Sequence, residues 1–339
     1  MRALRRALGP LSLRGRRVLV AVSGGIDSVV LAQAMHEISG VARLHVCLGH
    51  VNHGLRAAES DADQAAVEAL AASLGVPCEV RHVNPSTLRA GRASRERPTL
   101  QEAARTLRYA ALQEIATALH AERIATAHNA DDQAETVLLR LLRGTGPDGL
   151  GGIPERSMDG RIVRPLLRAS RAEIEAHAST RGLLWREDQT NASPDYARNR
   201  LRHRWLPGLT ADFNPRLLRA VADLAEAQRR DAEWIADRVA AEEASRFTFE
   251  GEWLRIEAKD WVGTPEALAR RLARRALQRC GAGRDVSRVH LERMLAFLRS
   301  APPGRRLELP AGLTLVRDRE GFRMGPLRGG SGVVRWGAC

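Results

Sequence analysis

Arg17-Val-Leu-Val-Ala-Val22-Ser23-Gly24-Gly25-Ile26-Asp27-Ser28-Val-Val-Leu31 decides how the chain is read. Val18 to Val22 form an apolar, β-branched run, the pattern of a parallel strand buried on both faces. The run breaks at Ser23 to Ser28, and Val29 to Met35 resume with helical habit. A glycine turn between strand and helix lets backbone N–H groups face outward. The first helical turn adds its unpaired amides and the positive end of its dipole. Main chain of this kind cradles phosphate. It is not a Walker loop, which needs a lysine after its last glycine, because the single lysine of the chain is Lys259. Ser23 and Ser28 offer hydroxyls instead. Asp27 would repel a polyphosphate unless a cation intervenes, and Mg²⁺ bridging the two resolves the conflict. The competing reading is an ordinary corner in which Ser23 or Asp27 caps the helix. Two glycines, two serines and an aspartate at this spacing favour the phosphate site, with Ser23, Gly24, Gly25, Ile26, Asp27 and Ser28 as its contacts.

Outward from this stretch, short apolar runs alternate with helical segments. Strands are predicted at 44–53, 78–83, 123–127 and 162–167. Helices are predicted at 61–74, 131–143 and behind two capping boxes, Thr99-Leu-Gln-Glu102 and Ser170-Arg-Ala-Glu173. This is the pattern of a doubly wound, mostly parallel α/β sheet. Ligands collect outside the carboxyl ends of such strands, which puts His50-Val-Asn-His53 and His128-Asn129 on the rim that holds Ser23 to Ser28. Residues 84–98 read as a loop and 185–204 as a polar, arginine-bearing connection. Gly144-Thr-Gly146-Pro-Asp-Gly149 matches a dinucleotide fingerprint in letters only, since it follows a helix. A long amphipathic helix is expected over 214–246. Beyond it come a strand near Trp253, helices at 265–279 and 287–299, and strands at 306–309 and 313–317. The expected domains are 1–212 (catalytic), 213–246 (helical connector) and 247–339 (small α+β).

The 339 residues are 44% hydrophobic and 27% charged, with a net charge of +13 carried almost wholly by arginine. That surplus suits a polyanionic partner, although a solvated arginine-rich surface has the same composition. No run of 18 apolar residues occurs, so no membrane partner is expected. Met1 to Arg17 is arginine-rich but lacks a continuous apolar core, and it reads as a basic arm and not a targeting peptide. Cys47, Cys78, Cys280 and Cys339 are scattered without a C-x-x-C, as in a reduced cytoplasmic protein with no zinc site.

Asp132 and Glu135 stand three apart on one helical face that begins beside His128. Acidic residues often sit in a first turn merely because the dipole favours them there. Here they share a rim with the phosphate cradle, where negative charge opposes a nucleotide, so a metal ion or a cationic substrate is needed to compensate. Arg108 can act as a rigid fork on a transferring phosphoryl group or be a plain surface arginine on its helix.

The hexapeptide at 23–28 resembles the pyrophosphate loop of the N-type ATP pyrophosphatases, Rossmann-like enzymes that split ATP between its α- and β-phosphates. Further stretches narrow the resemblance. His50-Val-Asn-His-Gly-Leu-Arg56, Gln101-Glu-Ala-Ala-Arg105 with Arg108-Tyr109, His128-Asn-Ala-Asp-Asp-Gln-Ala-Glu-Thr136 and Arg140-Leu-Leu-Arg-Gly-Thr-Gly146 occur in order. With Asp188, Asn191 and Tyr196-Ala-Arg-Asn-Arg200 they resemble the tRNA(Ile)-lysidine synthetases, strongly over 16–206 and more weakly over 264–324. The chain is shorter than members that carry a further C-terminal domain. The resemblance implies ATP with Mg²⁺ at residues 23–28. It implies tRNA(Ile) with a CAU anticodon and free lysine as the other substrates. By residue it implies Asp27 on Mg²⁺ or lysine, Arg108 and His128 on the ATP phosphates or transition state, and Asp132 and Glu135 on lysine. A homodimer is compatible with it. The alternative is another tRNA-modifying enzyme of this superfamily, such as a 2-thiolating one, against which the dispersed cysteines argue.

Overall fold

β1 (Arg17–Ala21) is the central strand of a five-stranded sheet, with Val18, Leu19 and Val20 fully buried. The computed structural model describes residues 2–54, 57–89, 98–186, 197–258, 260–282 and 286–326. Asp188, Asn191, Tyr196, Arg56, Lys259, Cys339 and most of the expected 84–98 loop lie outside them. The chain divides into two compact units, Met1–Arg229 and Arg230–Cys339.

In the first unit, α1 (Arg2–Ala7) precedes β1, and α2 (Ile26–Glu37) follows the glycine turn. Then come β2 (His45–Asn52), α3 (Ala57–Leu74), β3 (Cys78–His82), α4 (Leu100–Ala118), β4 (Arg123–Ala125), α5 (Ala130–Leu142), β5 (Ile162–Val163) and α6 (Arg171–Thr180). The sheet order is β3-β2-β1-β4-β5, and every pair is parallel. Thr99 and Ser170 close the capping boxes in front of α4 and α6, as their spacing predicts. Strand alternation sorts the side chains onto two faces. Val18, Val20, Leu48 and Val163 pack with α2, α3 and α6 through Val30, Met35, Val67, Ala71 and Ile174. Leu19, Cys47, Ile124 and Ile162 pack with Leu112, Ile115 and Ala116 of α4. The chain winds one way from β1 and the other way from β4, so the loops after these two strands open a crevice at the switch point.

In the second unit, α7 (Leu217–Arg246) supplies its C-terminal half, Val239 included. β6 (Phe247–Glu250), β7 (Trp253–Glu257), α8 (Glu266–Arg279), α9 (Arg288–Ser300), β8 (Arg306–Leu309), β9 (Leu313–Arg317) and β10 (Gly321–Pro326) complete it. Its sheet is antiparallel in the order β6-β7-β10-β9-β8. Leu254, Ile256, Leu315, Phe322 and Met324 face Leu272, Leu277, Met294 and Leu295 of the two helices. Glu243 of α7 is 4% exposed and accepts from Nε of Arg275 (2.9 Å) and Arg279 (2.6 Å). Burial works against its charge, and the two guanidinium groups overcome that and hold its carboxyl below the usual range.

Three expectations change. The strand expected at 162–167 ends at Val163, because Pro165 has no N–H to give a ladder. The connection at 185–204 is helical from Ala197, with a π turn at Leu201–Trp205 leading into a further helix, Leu206–Asp212. β6 and β10 are additional strands. β6 follows α7 with no Gly or Pro to mark the change. β10 carries Gly321 and Gly325, where a Cβ would sit 2.9 Å from the Ile256 carbonyl oxygen and 2.7 Å from the Trp253 ring. Among the described residues no helix is long and apolar enough to cross a membrane.

The α4 face depends on close approach at Gly49 of β2, where a Cβ would lie 2.9 Å from Leu19 Cδ1 and 3.3 Å from Ile115 Cγ2. Gly49→Ala should therefore cost about 1–3 kcal/mol by overpacking. In urea denaturation this reads as a lower midpoint at unchanged slope; an unchanged midpoint would contradict the packing described.

Candidate functional site

The Ser23 to Ser28 turn sits at the carboxyl end of β1. Gly24 has φ +89°, the left-handed region that favours glycine, and its carbonyl accepts from the Arg186 amide at 3.0 Å. Ser28 Oγ donates to the Gly25 carbonyl at 2.8 Å and accepts from the Ser23 amide at 3.1 Å, and the two serine hydroxyls are 3.3 Å apart. Gly25 is the N-cap of α2, and no side chain caps the helix there. Neither Ser23 nor Asp27 does what the ordinary-corner reading requires. The first amides of α2 are open to an anion.

Asp27 points across the crevice. Its Oδ1 accepts from Asn129 Nδ2 at 3.0 Å and its Oδ2 from Arg171 Nη1 at 2.7 Å, which joins α2 to the N-termini of α5 and α6. Burial raises its pKa, Arg171 opposes this, and the neighbouring Asp132 charge adds to it. Asn129 and Asp132 form a capping box for α5, each side chain accepting from the other's amide, at 2.9 and 3.1 Å. One helical turn on, Glu135 is 1% exposed. Arg202, from the π turn, donates to it through Nε (2.5 Å) and Nη2 (3.0 Å) and reaches Asp132 Oδ1 at 3.4 Å. Arg198 adds a contact to Glu135 at 3.4 Å. Burial raises the Glu135 pKa against these arginines, while Glu135, Asp132 and Asp27 outweigh burial at Arg202 and raise its pKa. The cation that the acidic pair requires is thus present as a guanidinium of the chain itself.

His128 lies at the carboxyl end of β4, its Nδ1 3.0 Å from the Thr126 hydroxyl. Burial pushes its pKa down to about 4; Asp132 opposes this, and Arg164, Arg105 and Arg108 add to it. Near neutral pH the ring is uncharged. Arg108 is half-buried on α4, and burial lowers its pKa. His50 is buried, and its Nδ1–H donates to the Val22 carbonyl at 2.8 Å.

Asp27, His128, Asp132 and Glu135 therefore converge with the loop, and Arg108 faces His128 from the α4 side. Sequence reasoning missed Arg171, Arg198 and Arg202 as partners. Arg171 opens α6, where the capping box drew attention to Ser170 and Glu173 instead. Arg198 and Arg202 are four apart, a spacing that places them on one helical face.

Residues 2–209 match the model of a PP-loop domain, and residues 257–321 match that of the TilS substrate binding domain. The tRNA(Ile)-lysidine synthase of Solibacter usitatus is 42% identical over 313 residues, which cover 92% of this chain and 68% of that protein. Those of Symbiobacterium thermophilum and Geobacter sulfurreducens are 39% and 37% identical over 89% and 90% of the chain. The chain spans 63% and 64% of the length of these two. Among solved structures, the U34-tRNA thiolase NcsA from Methanococcus maripaludis superposes with a TM-score of 0.54 at 19% identity. It covers 67% of this chain and 77% of that one, a likeness of fold. With the glycine turn, the switch-point crevice and the acidic pair all in one matched domain, the chain belongs to the tRNA(Ile)-lysidine synthase family of PP-loop proteins.

Proposed function

We propose that the chain ligates lysine to C2 of the wobble cytidine of a CAU-anticodon tRNA(Ile), consuming ATP and releasing AMP and pyrophosphate. The observation that carries this reading is the acidic pair Asp132 and Glu135, held by the exchangeable cation Arg202 and set beside an uncapped helix N-terminus at the switch point. The α2 amides and the Ser23 and Ser28 hydroxyls would hold the pyrophosphate end of ATP. The cytidine C2 oxygen attacks the α-phosphorus and pyrophosphate leaves. Arg108 stabilises the charge that builds on the phosphoryl oxygens, and neutral His128 donates a hydrogen bond without drawing the carboxylates away from lysine. Adenylation turns the C2 oxygen into a leaving group. The ε-amine of lysine, having lost its proton, adds at C2, and the C2–O bond breaks with AMP departing. Asp132 and Glu135 would hold lysine's ammonium groups in exchange for Arg202.

Mg²⁺ belongs to this reading as part of the nucleotide substrate. Both Asp27 oxygens already accept from Asn129 and Arg171, and among the described residues no three His, Cys, Asp or Glu side chains are grouped to hold an ion. Asp27 fits as one ligand of an ion carried by phosphate oxygens, and the residues do not form a metal site of their own. The second unit, matched to a substrate-binding domain, would take the tRNA, and exposed Arg274 and Arg293 suit its backbone. The substrates imply a cytoplasmic enzyme. A 2-thiolating activity is disfavoured: Cys47 and Cys280 are buried, and burial pushes the Cys47 and Cys78 thiols to about 11 and that of Cys280 to about 12.

Incubation with ATP, labelled lysine and a tRNA(Ile) transcript should place label in the anticodon loop; label that stays with free lysine would defeat the proposal. Glu135→Gln should raise KM for lysine about tenfold or more, the loss of a charge-assisted hydrogen bond, with KM for ATP within about twofold. An unchanged lysine KM removes Glu135 from that role. His128 binds a proton more weakly folded than unfolded, so wild-type stability should fall as pH drops from 6.5 toward its folded pKa of about 4. His128→Asn should flatten that slope in pH-resolved urea titrations, and parallel slopes would mean that His128 is protonated in the fold.

A further inference from the structure

On the α4 side of the rim stands a group of cations that no carboxylate serves. Tyr109 is its hub: the Arg105 and Arg108 guanidinium carbons lie 5.1 and 5.6 Å from its ring centroid, and its hydroxyl lies beside Arg164. Arg164 is 6% exposed, and its Nη1 donates to the Pro154 carbonyl at 2.7 Å. Among the described residues no Asp or Glu pairs with Arg105, Arg108 or Arg164, whereas Arg171 and Arg202 beside the acidic residues each have such a partner. Two buried polar atoms here also lack a hydrogen bond: Arg164 Nε and Nδ1 of His53, the histidine that faces Arg108. A buried guanidinium without a counter-charge is costly, and unsatisfied buried groups that cluster point to a missing partner. That partner is an anion that accepts several hydrogen bonds. The cluster sits at the carboxyl ends of β2, β4 and β5, and Arg164, Arg105 and Arg108 all act on His128 at the end of β4.

We propose that Arg164, with Arg105, Arg108, Tyr109 and His53, forms a second phosphate seat that takes the α-phosphate of the nucleotide. Its pyrophosphate end would lie on residues 23–28. The inference rests on the ATP-dependent reading above. In this arrangement Arg164 is the inner wall: it keeps positive charge beneath the phosphorus while Arg108 and Arg105 close over it from α4. The seat remains filled when pyrophosphate leaves, so it holds AMP through the second half of the reaction.

Calorimetric titration of the full chain and of Arg164→Gln with AMP, adenosine, pyrophosphate and an anticodon stem-loop RNA tests this. AMP should bind the variant roughly 10- to 100-fold more weakly, the scale of a lost charge-assisted contact. Adenosine, pyrophosphate and RNA should stay within about twofold, and Arg164→Lys should recover part of the loss as a point charge. Equal AMP affinity in wild type and variant overturns the seat. Parallel losses for adenosine and pyrophosphate also overturn it, since they mark a structural role. A loss confined to RNA overturns the assignment in favour of a backbone phosphate. If Arg164→Gln does not fold, Arg105→Gln on the exposed edge should still weaken AMP about threefold or more without moving adenosine, and no change there is equally fatal. A wild-type chain that binds neither AMP nor ATP would sink the ATP-dependent function itself.

Discussion

Two charge systems of opposite sign must work within one crevice without cancelling each other. At an effective dielectric of about 20, a carboxylate 4 Å from a phosphate oxygen costs about 4 kcal/mol per pair of unit charges. The fold meets this by drawing the two sets from different helices and giving the acidic set its own arginine partners. Asp27, Asp132 and Glu135 come from α2 and α5, where Arg171 and Arg202 also reach them. Arg105 and Arg108 come from α4, which packs on Leu19, Ile124 and Ile162 of the sheet. Both systems act on the end of β4, next to the point where the order of strands reverses. His128 stands at that seam, and burial, aided by three arginines against the pull of Asp132, leaves it uncharged.

The arginines on the acidic side explain why that pocket is stable before any ligand arrives. Glu135 is almost wholly buried, and removing one partner from a buried pair typically costs about 3–5 kcal/mol. A bidentate fork satisfies both of its oxygens. An incoming cation must then replace donor for donor, which makes the exchange selective for groups with several N–H bonds. The π turn at Leu201–Trp205 matters here, since such turns shift the helical register and re-aim side chains.

Much of the first unit was legible because its signals were local. The apolar run at 18–22, the glycine turn and the Thr99 and Ser170 capping boxes each name an element boundary by chemistry that acts within a few residues. Asp27, Asp132 and Glu135 could be singled out by their place on the rim. Their partners could not, because Arg171 and Arg202 reach them across 144 and 67 residues of sequence. Helical periodicity also fails to announce a π turn, so the segment from Ala197 read as a polar connection. In the second unit β10 was hidden by Gly321 and Gly325, residues that look like breakers but are there because Ile256 and Trp253 approach too closely for a side chain.

The cations described around the crevice, Arg108, Arg164, Arg171, Arg198 and Arg202, are all guanidinium groups, and the chain's single lysine, Lys259, falls in the C-terminal unit. A guanidinium stays protonated at any physiological pH and so offers no lone pair to an electrophile. A lysine in the same position would present a primary amine of the very kind the proposed second step uses. Lining this crevice with arginine therefore supplies positive charge without supplying a nucleophile, and the activated base of the proposed reaction would be protected from capture by the protein that made it.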